Sequence, residues 1–345
     1  MDGSRHVELG IDRFVFAPRE ETLEELPTQI VSDVLEEIQL ADELGIYIYG
    51  VGEHHTDEFL DSAPAILLGA AAARTRQIRL TSAITILGAA DPVRVFEEYA
   101  SLDLVSGGRT EIIAGRGAYA EAFSLFGLSL GDYDQLFEEK LGLLLRLRRG
   151  GSINWSGRHR PPLSGQRITP PTAQPTLPIW LGATGSPASF IRAGELGLPL
   201  AVGIIGGEFA AYRPLIDLYR DRGLRAGHKR EDLTVGVHAI GYIADTRAQA
   251  LEEFFPPYRA IFGELARKIG RPEPTQLSFA QLTSSSSALI VGSPEDVADK
   301  LRHIDDVLGG VSRVSLQMSV GPLAKPQRLR SFELLAGKVA ELITR

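Results

Sequence analysis

The 345-residue chain contains no cysteine, and methionine and tryptophan occur only twice each. The lack of thiols excludes disulfides, thiolate metal sites and cysteine nucleophiles, and it fits a cytoplasmic protein. Basic charge is also scarce: 36 Lys and Arg stand against 44 Asp and Glu, a formal net charge of −8. Phosphate contacts need a clustered basic surface, so a nucleic-acid partner is not expected. No apolar run approaches the roughly 20 residues that span a bilayer, and the first residues lead into only a short apolar stretch. Neither membrane insertion nor export is expected. What remains, 44% hydrophobic and 23% charged residues, is the composition of an acidic globular protein with a sizeable core.

Short β-branched or apolar runs at 7–11, 46–51, 78–86, 111–114, 177–181, 200–204, 233–243 and 314–318 read as strands. Amphipathic stretches at 28–44, 64–74, 93–105, 133–147, 187–196, 209–222, 246–261 and 294–308 read as helices, the first stopped by Gly45. This alternation implies an α/β fold with a parallel sheet and crossover helices. About eight such units favour closure into a (β/α)8 TIM barrel, forming a single domain over 1–345. Two segments break the rhythm. Residues 150–178 hold Pro161, Pro162, Pro170, Pro171, Pro175 and Pro178, which excludes a long helix and marks an insertion between strands 4 and 5. Residues 267–288, with Gly270, Pro272, Pro274 and four consecutive serines from Ser284, read as a long loop before strand 8 and a candidate lid. Residues 325–345 read as a closing helix.

The chemistry concentrates at strand ends. Val51-Gly52-Glu53-His54-His55 ties two of the seven histidines to a carboxylate. Side chains alternate along a strand, so adjacent histidines cannot both face the barrel mouth. Metal ligands on one strand would sit two apart, which disfavours a metal site and leaves acid/base work or a plain hydrogen-bonded histidine. Gly115-Arg116-Gly117-Ala118-Tyr119-Ala120 formally matches a dinucleotide fingerprint, but Asp132 and Asp134 open a helix instead of ending a strand. Arg116 can grip a phosphate or a flavin edge, or form a salt bridge on the barrel rim. Gly182-Ala183-Thr184-Gly185-Ser186-Pro187 is a glycine turn opening a helix, suited to a phosphate or to simple capping by Ser186. The related Gly292-Ser293-Pro294-Glu295-Asp296 carries two carboxylates that would repel a phosphate, so it reads as a cap. Thr81-Ser82-Ala83-Ile84-Thr85 is a buried strand whose small Ser82 and Ala83 would let a flat ring lie against its end.

Gly52 to His55, Thr81 to Arg94, Asp103-Leu104-Val105-Ser106-Gly107-Gly108-Arg109, Ala114 to Tyr119 and Leu196-Gly197-Leu198-Pro199 together resemble the bacterial luciferase-like flavin-dependent monooxygenases and oxidoreductases. The resemblance covers nearly the whole chain in order. It implies a (β/α)8 barrel that uses reduced FMN from a separate flavin reductase, or the deazaflavin F420 in one branch. It implies that His54 stands beside the flavin and handles protons. Ala83 and Ile84 match a non-prolyl cis peptide behind the flavin ring, Arg116 and Tyr119 a cofactor-facing loop, and Gly185 and Ser186 the phosphate-binding turn. It implies a homodimer acting on a small organic substrate with O2. The chain departs from the luciferases proper at Gly115, where they carry a reactive cysteine, and Phe14-Val15-Phe16-Ala17-Pro18 has no clear match. An F420-dependent dehydrogenase or reductase and a non-catalytic flavin-binding protein are the alternative readings.

Overall fold

The β-branched and aliphatic runs fold as parallel strands separated by amphipathic helices in a computed structural model, which describes residues 7–17, 26–117, 120–268, 270–321 and 323–344. In chain order the elements are β1 (Glu8–Arg13), α1 (Pro27–Glu43), β2 (Ile48–Val51), α2 (Pro64–Ala72), β3 (Arg79–Ser82), β4 (Thr85–Ile86), α3 (Pro92–Ser106), β5 (Thr110–Gly115), α4 (Glu121–Leu125) and α5 (Tyr133–Leu147). They continue with β6 (Ser152–Trp155), β7 (Leu163–Arg167), β8 (Ile179–Ala183), α6 (Pro187–Leu196), β9 (Leu200–Ile204), α7 (Arg213–Arg225), β10 (Val235–Ile243) and α8 (Arg247–Lys268). The last are α9 (Gln276–Leu282), β11 (Ile290–Gly292), α10 (Pro294–Leu308), β12 (Arg313–Gln317), α11 (Lys325–Leu334) and α12 (Ala340–Thr344), with a π-helical turn, Leu335–Val339, between α11 and α12. The hydrogen-bonded strand order is β11-β10-β12-β1-β2-β3-β5-β8-β9, and β9 pairs again with β10, closing the sheet. The fold is a (β/α)8 barrel, with β4 added beside β5 and β11 beside the end of β10.

The chain divides into two compact units. One comprises Val15–Gln39 and Gly50–Gly182. Its central strand β5 is buried along its whole length, pairing Leu80 with Thr110 on one side and Ile112 with Ile179 on the other. Helix α3 starts where the Asp91 carboxylate accepts the Val93 and Arg94 amides, with Pro92 in the first turn, and stops at Gly107 in a left-handed conformation. The Asp103-to-Arg109 motif is structural. Fully buried Asp103 accepts both the backbone and the side-chain N–H of Gln174, and Arg109 donates to the carbonyls of Ala72 and Thr75 at and just after the end of α2 and of Ile78 just before β3. The insertion at 150–178 is an antiparallel β6–β7 hairpin followed by a cis Thr169–Pro170 bond.

The other unit comprises Met1–Phe14, Leu40–Tyr49 and Ala183–Arg345. Helices α6 and α7 pack so closely that a Cβ at Gly194 would collide with the Tyr219 carbonyl oxygen. The segment 267–288 differs from the expected loop. Helix α8 persists to Lys268 despite Pro256 and Pro257, and α9 forms behind a reciprocal Thr275–Ser278 cap. Phe279 of α9 is fully buried against Phe254, Phe255 and Tyr258, which anchors the segment. It leads into β11 and α10, so strand 8 of the barrel, β12, follows one further strand–helix unit. The buried Lys300 of α10 donates to the carbonyls of Leu289 and Thr283, closing the end of the segment.

Candidate functional site

Strand β2 ends at Val51, and the chain leaves it through the loop that carries both histidines. His54 is buried, its Nδ1 3.0 Å from Asp61 Oδ1 and its ring stacked on Phe59 with centroids 3.9 Å apart. Opposite a carboxylate Nδ1 carries the proton, so Nε2 is the acceptor nitrogen of the neutral ring. Asp61 is fully buried, and its other oxygen accepts the Val15 amide at 2.9 Å. Two further backbone bonds, Leu60 N–H to Val15 O and Ala17 N–H to Glu58 O, fix this strap, and Phe16 lies 4.9 Å from the Phe59 ring. Val15, Phe16 and Ala17, among the unmatched residues after β1, therefore brace the histidine. His55 has a different partner: its Nε2 lies 3.0 Å from Glu53 Oε1, while Glu53 Oε2 accepts the Ile86 amide at 2.9 Å. Glu53 thus ties the end of β2 to β4. Among the described residues no cluster of three His, Asp or Glu side chains is arranged to hold a metal ion. A cavity of about 340 Å³ is lined by Glu53, His55, Thr85, Arg94, Glu98 and Tyr99, on the Glu53–His55 side. Burial raises the Glu98 carboxyl above its usual value.

The expected strand at 78–86 is broken in two by a cis Ala83–Ile84 peptide bond between β3 and β4. Ala83 and Ile84 are half-buried, whereas Ser82 and Thr85 on either side are buried. Ser82 does not offer itself to a ring. It is fully enclosed, bonded to Thr85 Oγ1 at 2.8 Å, and Thr85 in turn reaches the Tyr99 hydroxyl at 3.3 Å. Burial pushes the Tyr99 phenol well above its usual range, so it stays neutral behind the bulge. The Ile84 side chain lies over Gly115, where any Cβ would collide with Ile84 Cδ1. A side chain at Gly115 would require Ile84 to move. Arg116 is salt-bridged to Asp134 at 2.7 Å, and its guanidinium carbon lies 5.3 Å from the Tyr133 ring centroid. The Tyr133 hydroxyl donates to Gly117 O at 2.5 Å, and burial raises its pKa. Tyr119 lies outside the described residues.

Within the other unit, Gly185 has φ +147°, a conformation L side chains rarely adopt, with nothing within 4 Å of the position a Cβ would take. Ser186 is the residue before α6, yet its hydroxyl makes no capping bond. Ser293, before α10, behaves oppositely: its hydroxyl accepts the Asp296 amide at 3.3 Å and the Asp296 carboxylate accepts the Ser293 amide at 3.0 Å. The two Gly-Ser-Pro sequences therefore diverge, one closed by its own side chains and the other with Ser186 unengaged at the cap.

A sequence model of the luciferase-like monooxygenases matches residues 11–309. The chain belongs to that family. Among curated luciferase-like relatives, 4-hydroxyprotoasukamycin monooxygenase of Streptomyces nodosus subsp. asukaensis is 27% identical over 326 residues, 89% of this chain and 85% of that one. An uncharacterized protein of Sinorhizobium fredii is 32% identical over 190 residues, 55% of this chain and 54% of that one. Of solved structures, the monooxygenase RslO1 from Streptomyces bottropensis superposes with a TM-score of 0.83 at 24% identity, over 96% of this chain and 98% of that one. The oxygenating constituent of 3,6-diketocamphane monooxygenase from Pseudomonas putida, in complex with FMN, gives 0.78 at 18% over 97% and 98%. The coenzyme F420 dependent tetrahydromethanopterin reductase from Methanopyrus kandleri gives 0.73 at 18%, also over 97% and 98%. These structures share the luciferase-like barrel. Asp61, Phe59 and the Val15 strap are parts of the His54 environment that sequence reasoning missed. Asp61 stands seven residues from His54 in a loop without periodicity, and its acidity was the only available signal.

Proposed function

We propose that this luciferase-like protein is a flavin-dependent monooxygenase that takes reduced FMN from a separate reductase and uses O2 on a small organic substrate. Reduced FMN, when bound, supplies the electrons that activate O2. The observation that carries this reading is the His54–Asp61 pair on the loop that Glu53 fastens to the Ala83–Ile84 bulge. Ala83 and Ile84 present half-buried apolar surface suited to one face of a flat ring. Arg116 and Tyr119 are the proposed ring- and chain-binding residues. Gly185 and Ser186 fit a phosphate, because the first amides of α6 and the Ser186 hydroxyl are not taken up by a capping side chain. His54 holds or passes a proton through Nε2, with Asp61 fixing ring orientation and tautomer. Residues 267–288 are the proposed lid, and a cytoplasmic homodimer is the proposed assembly. No helix among the described residues is long and apolar enough to cross a membrane.

His54→Ala tests the role of the histidine. In stopped-flow mixing of the reduced-FMN complex with oxygenated buffer, we expect turnover to fall about 10²-fold or more. FMN affinity, measured anaerobically, should change little. An unchanged time course removes His54 from the mechanism. A second reading, F420-dependent hydride transfer in the same barrel, is favoured by the fold shared with the Methanopyrus kandleri reductase.

A further inference from the structure

A second histidine–carboxylate pair lies apart in sequence from the motifs above, on β1 and β10, the two strands that flank β12 within one unit. Register places Gly10 opposite Ser315 and Ser315 opposite His238, with Asp12 opposite Gln317. Alternation along a strand then sets Gly10, Asp12, Ser315, Gln317 and His238 on one face. The other face carries Leu9, Ile11, Val314, Leu316, Val237 and Ala239, the apolar surface that packs under helices. A Cβ on Gly10 would lie 2.5 Å from Ser315 Oγ and 2.6 Å from Ile48 Cγ2, as expected where neighbouring side chains converge inside a barrel. On this polar inner face His238 Nδ1 lies 2.6 Å from Asp12 Oδ2.

Three features set this pair apart from an ordinary structural ion pair. Asp12 Oδ1 is enclosed with no hydrogen-bond partner, so the carboxylate is committed to the imidazole. The exposure is lopsided: the His238 side chain keeps 15% of its surface and Asp12 only 6%, so the imidazole is the reachable end. Directly opposite His238, β9 carries Gly203, which adds no side chain of its own, and the place its Cβ would take is bounded by Thr184 Cγ2 at 3.3 Å. With Nδ1 held by a carboxylate, the nitrogen left for chemistry is Nε2, an acceptor in the neutral ring.

We propose that His238 is a substrate-binding residue whose Nε2 accepts the hydrogen of a hydroxyl or N–H group on the organic substrate, with Asp12 as its positioning residue. This assignment rests on the oxidoreductase reading above and narrows its substrate class to hydroxylated or N–H-bearing molecules.

The test uses flavin-free, full-length protein labelled with 15N-histidine, the His238 signals being identified with His238→Gln. Cyclohexanol and cyclohexanone, one ring with a donor or an acceptor, are the probes. The wild type should show Nδ1–H, Nε2-acceptor shifts for His238 and bind cyclohexanol at least about tenfold more tightly than cyclohexanone. Asp12→Asn keeps the size but offers an N–H to Nδ1, which reverses the tautomer, so the preference should turn toward cyclohexanone. His238→Gln should abolish the wild-type preference, with circular dichroism melting showing that each variant is folded. Equal binding of the two probes, binding of neither, or an unchanged preference in Asp12→Asn overturns the proposal. Because no flavin is present, that outcome is separate from a failure to bind reduced FMN.

Discussion

Replacing Asp61 separates the structural from the chemical work of the His54 pair. The carboxylate holds two donors, His54 Nδ1 at 3.0 Å and the Val15 amide at 2.9 Å, from a fully buried position. Asp61→Ala removes both acceptors and leaves each donor without that partner. At about 1–3 kcal/mol for each buried group so deprived, the loss should be roughly 4 kcal/mol. Asp61→Asn keeps the shape. Its carbonyl oxygen can retain the Val15 amide while its N–H faces His54, so two charge-assisted bonds become neutral ones, at a cost of roughly 2 kcal/mol. The chemical consequence runs the other way. Asn forces the proton off Nδ1 and onto Nε2, so turnover should fall by orders of magnitude in a protein that is well folded. Urea unfolding gives the two stabilities, and 15N spectra of labelled histidine give the tautomer. If Asp61→Ala is as stable as Asp61→Asn, or if His54 keeps its Nδ1 proton in the Asn variant, the reasoning fails.

The two Gly-Ser-Pro turns should respond oppositely to the same substitution. Ser293→Ala removes a reciprocal cap and should lower stability by about 1 kcal/mol in thermal melts, with no effect on flavin affinity. Ser186→Ala should leave the melt unchanged, since that hydroxyl makes no capping bond, and weaken reduced-FMN binding severalfold in fluorescence titration. Lys300 gives a pH dependence: burial lowers its pKa from 10.5 to about 8. Between those values the unfolded chain binds the proton that the folded chain releases, so stability gains from this group as pH rises. Urea unfolding near pH 7.5 and near pH 10 should show a wild-type gain of about 2 kcal/mol relative to Lys300→Gln.

Much of the barrel is legible because its strands are aliphatic or β-branched runs and its helices keep a 3.6-residue apolar period. The expected helix at 133–147 coincides with α5, and Asp91-Pro92 caps α3 as its residue types require. Other features are settled by contacts distant in sequence. The run at 78–86 reads as one strand because apolar and β-branched residues recur throughout it, and the break between β3 and β4, with Ile84 packed over Gly115 and Gly182, appears only in the fold. Helix α9 is hidden by the prolines before it and the serines after it, though Phe279 fixes it in an aromatic cluster. His54 is marked by its own motif, whereas Asp12 and His238, far apart in sequence, meet only when β1 and β10 flank the same strand. Arg116 was open between cofactor contact and rim salt bridge; its bond to Asp134 is present, and cofactor contact is part of the proposal.

Anaerobic titration of the purified protein with reduced FMN and with reduced F420, followed by mixing with O2, decides which cofactor chemistry the barrel performs. We expect saturable binding of reduced FMN, no comparable binding of F420, and flavin oxidation kinetics that differ from those of free FMN and depend on His54. Preferential binding of F420, or reduced FMN that oxidises as it does in buffer, would contradict the monooxygenase assignment.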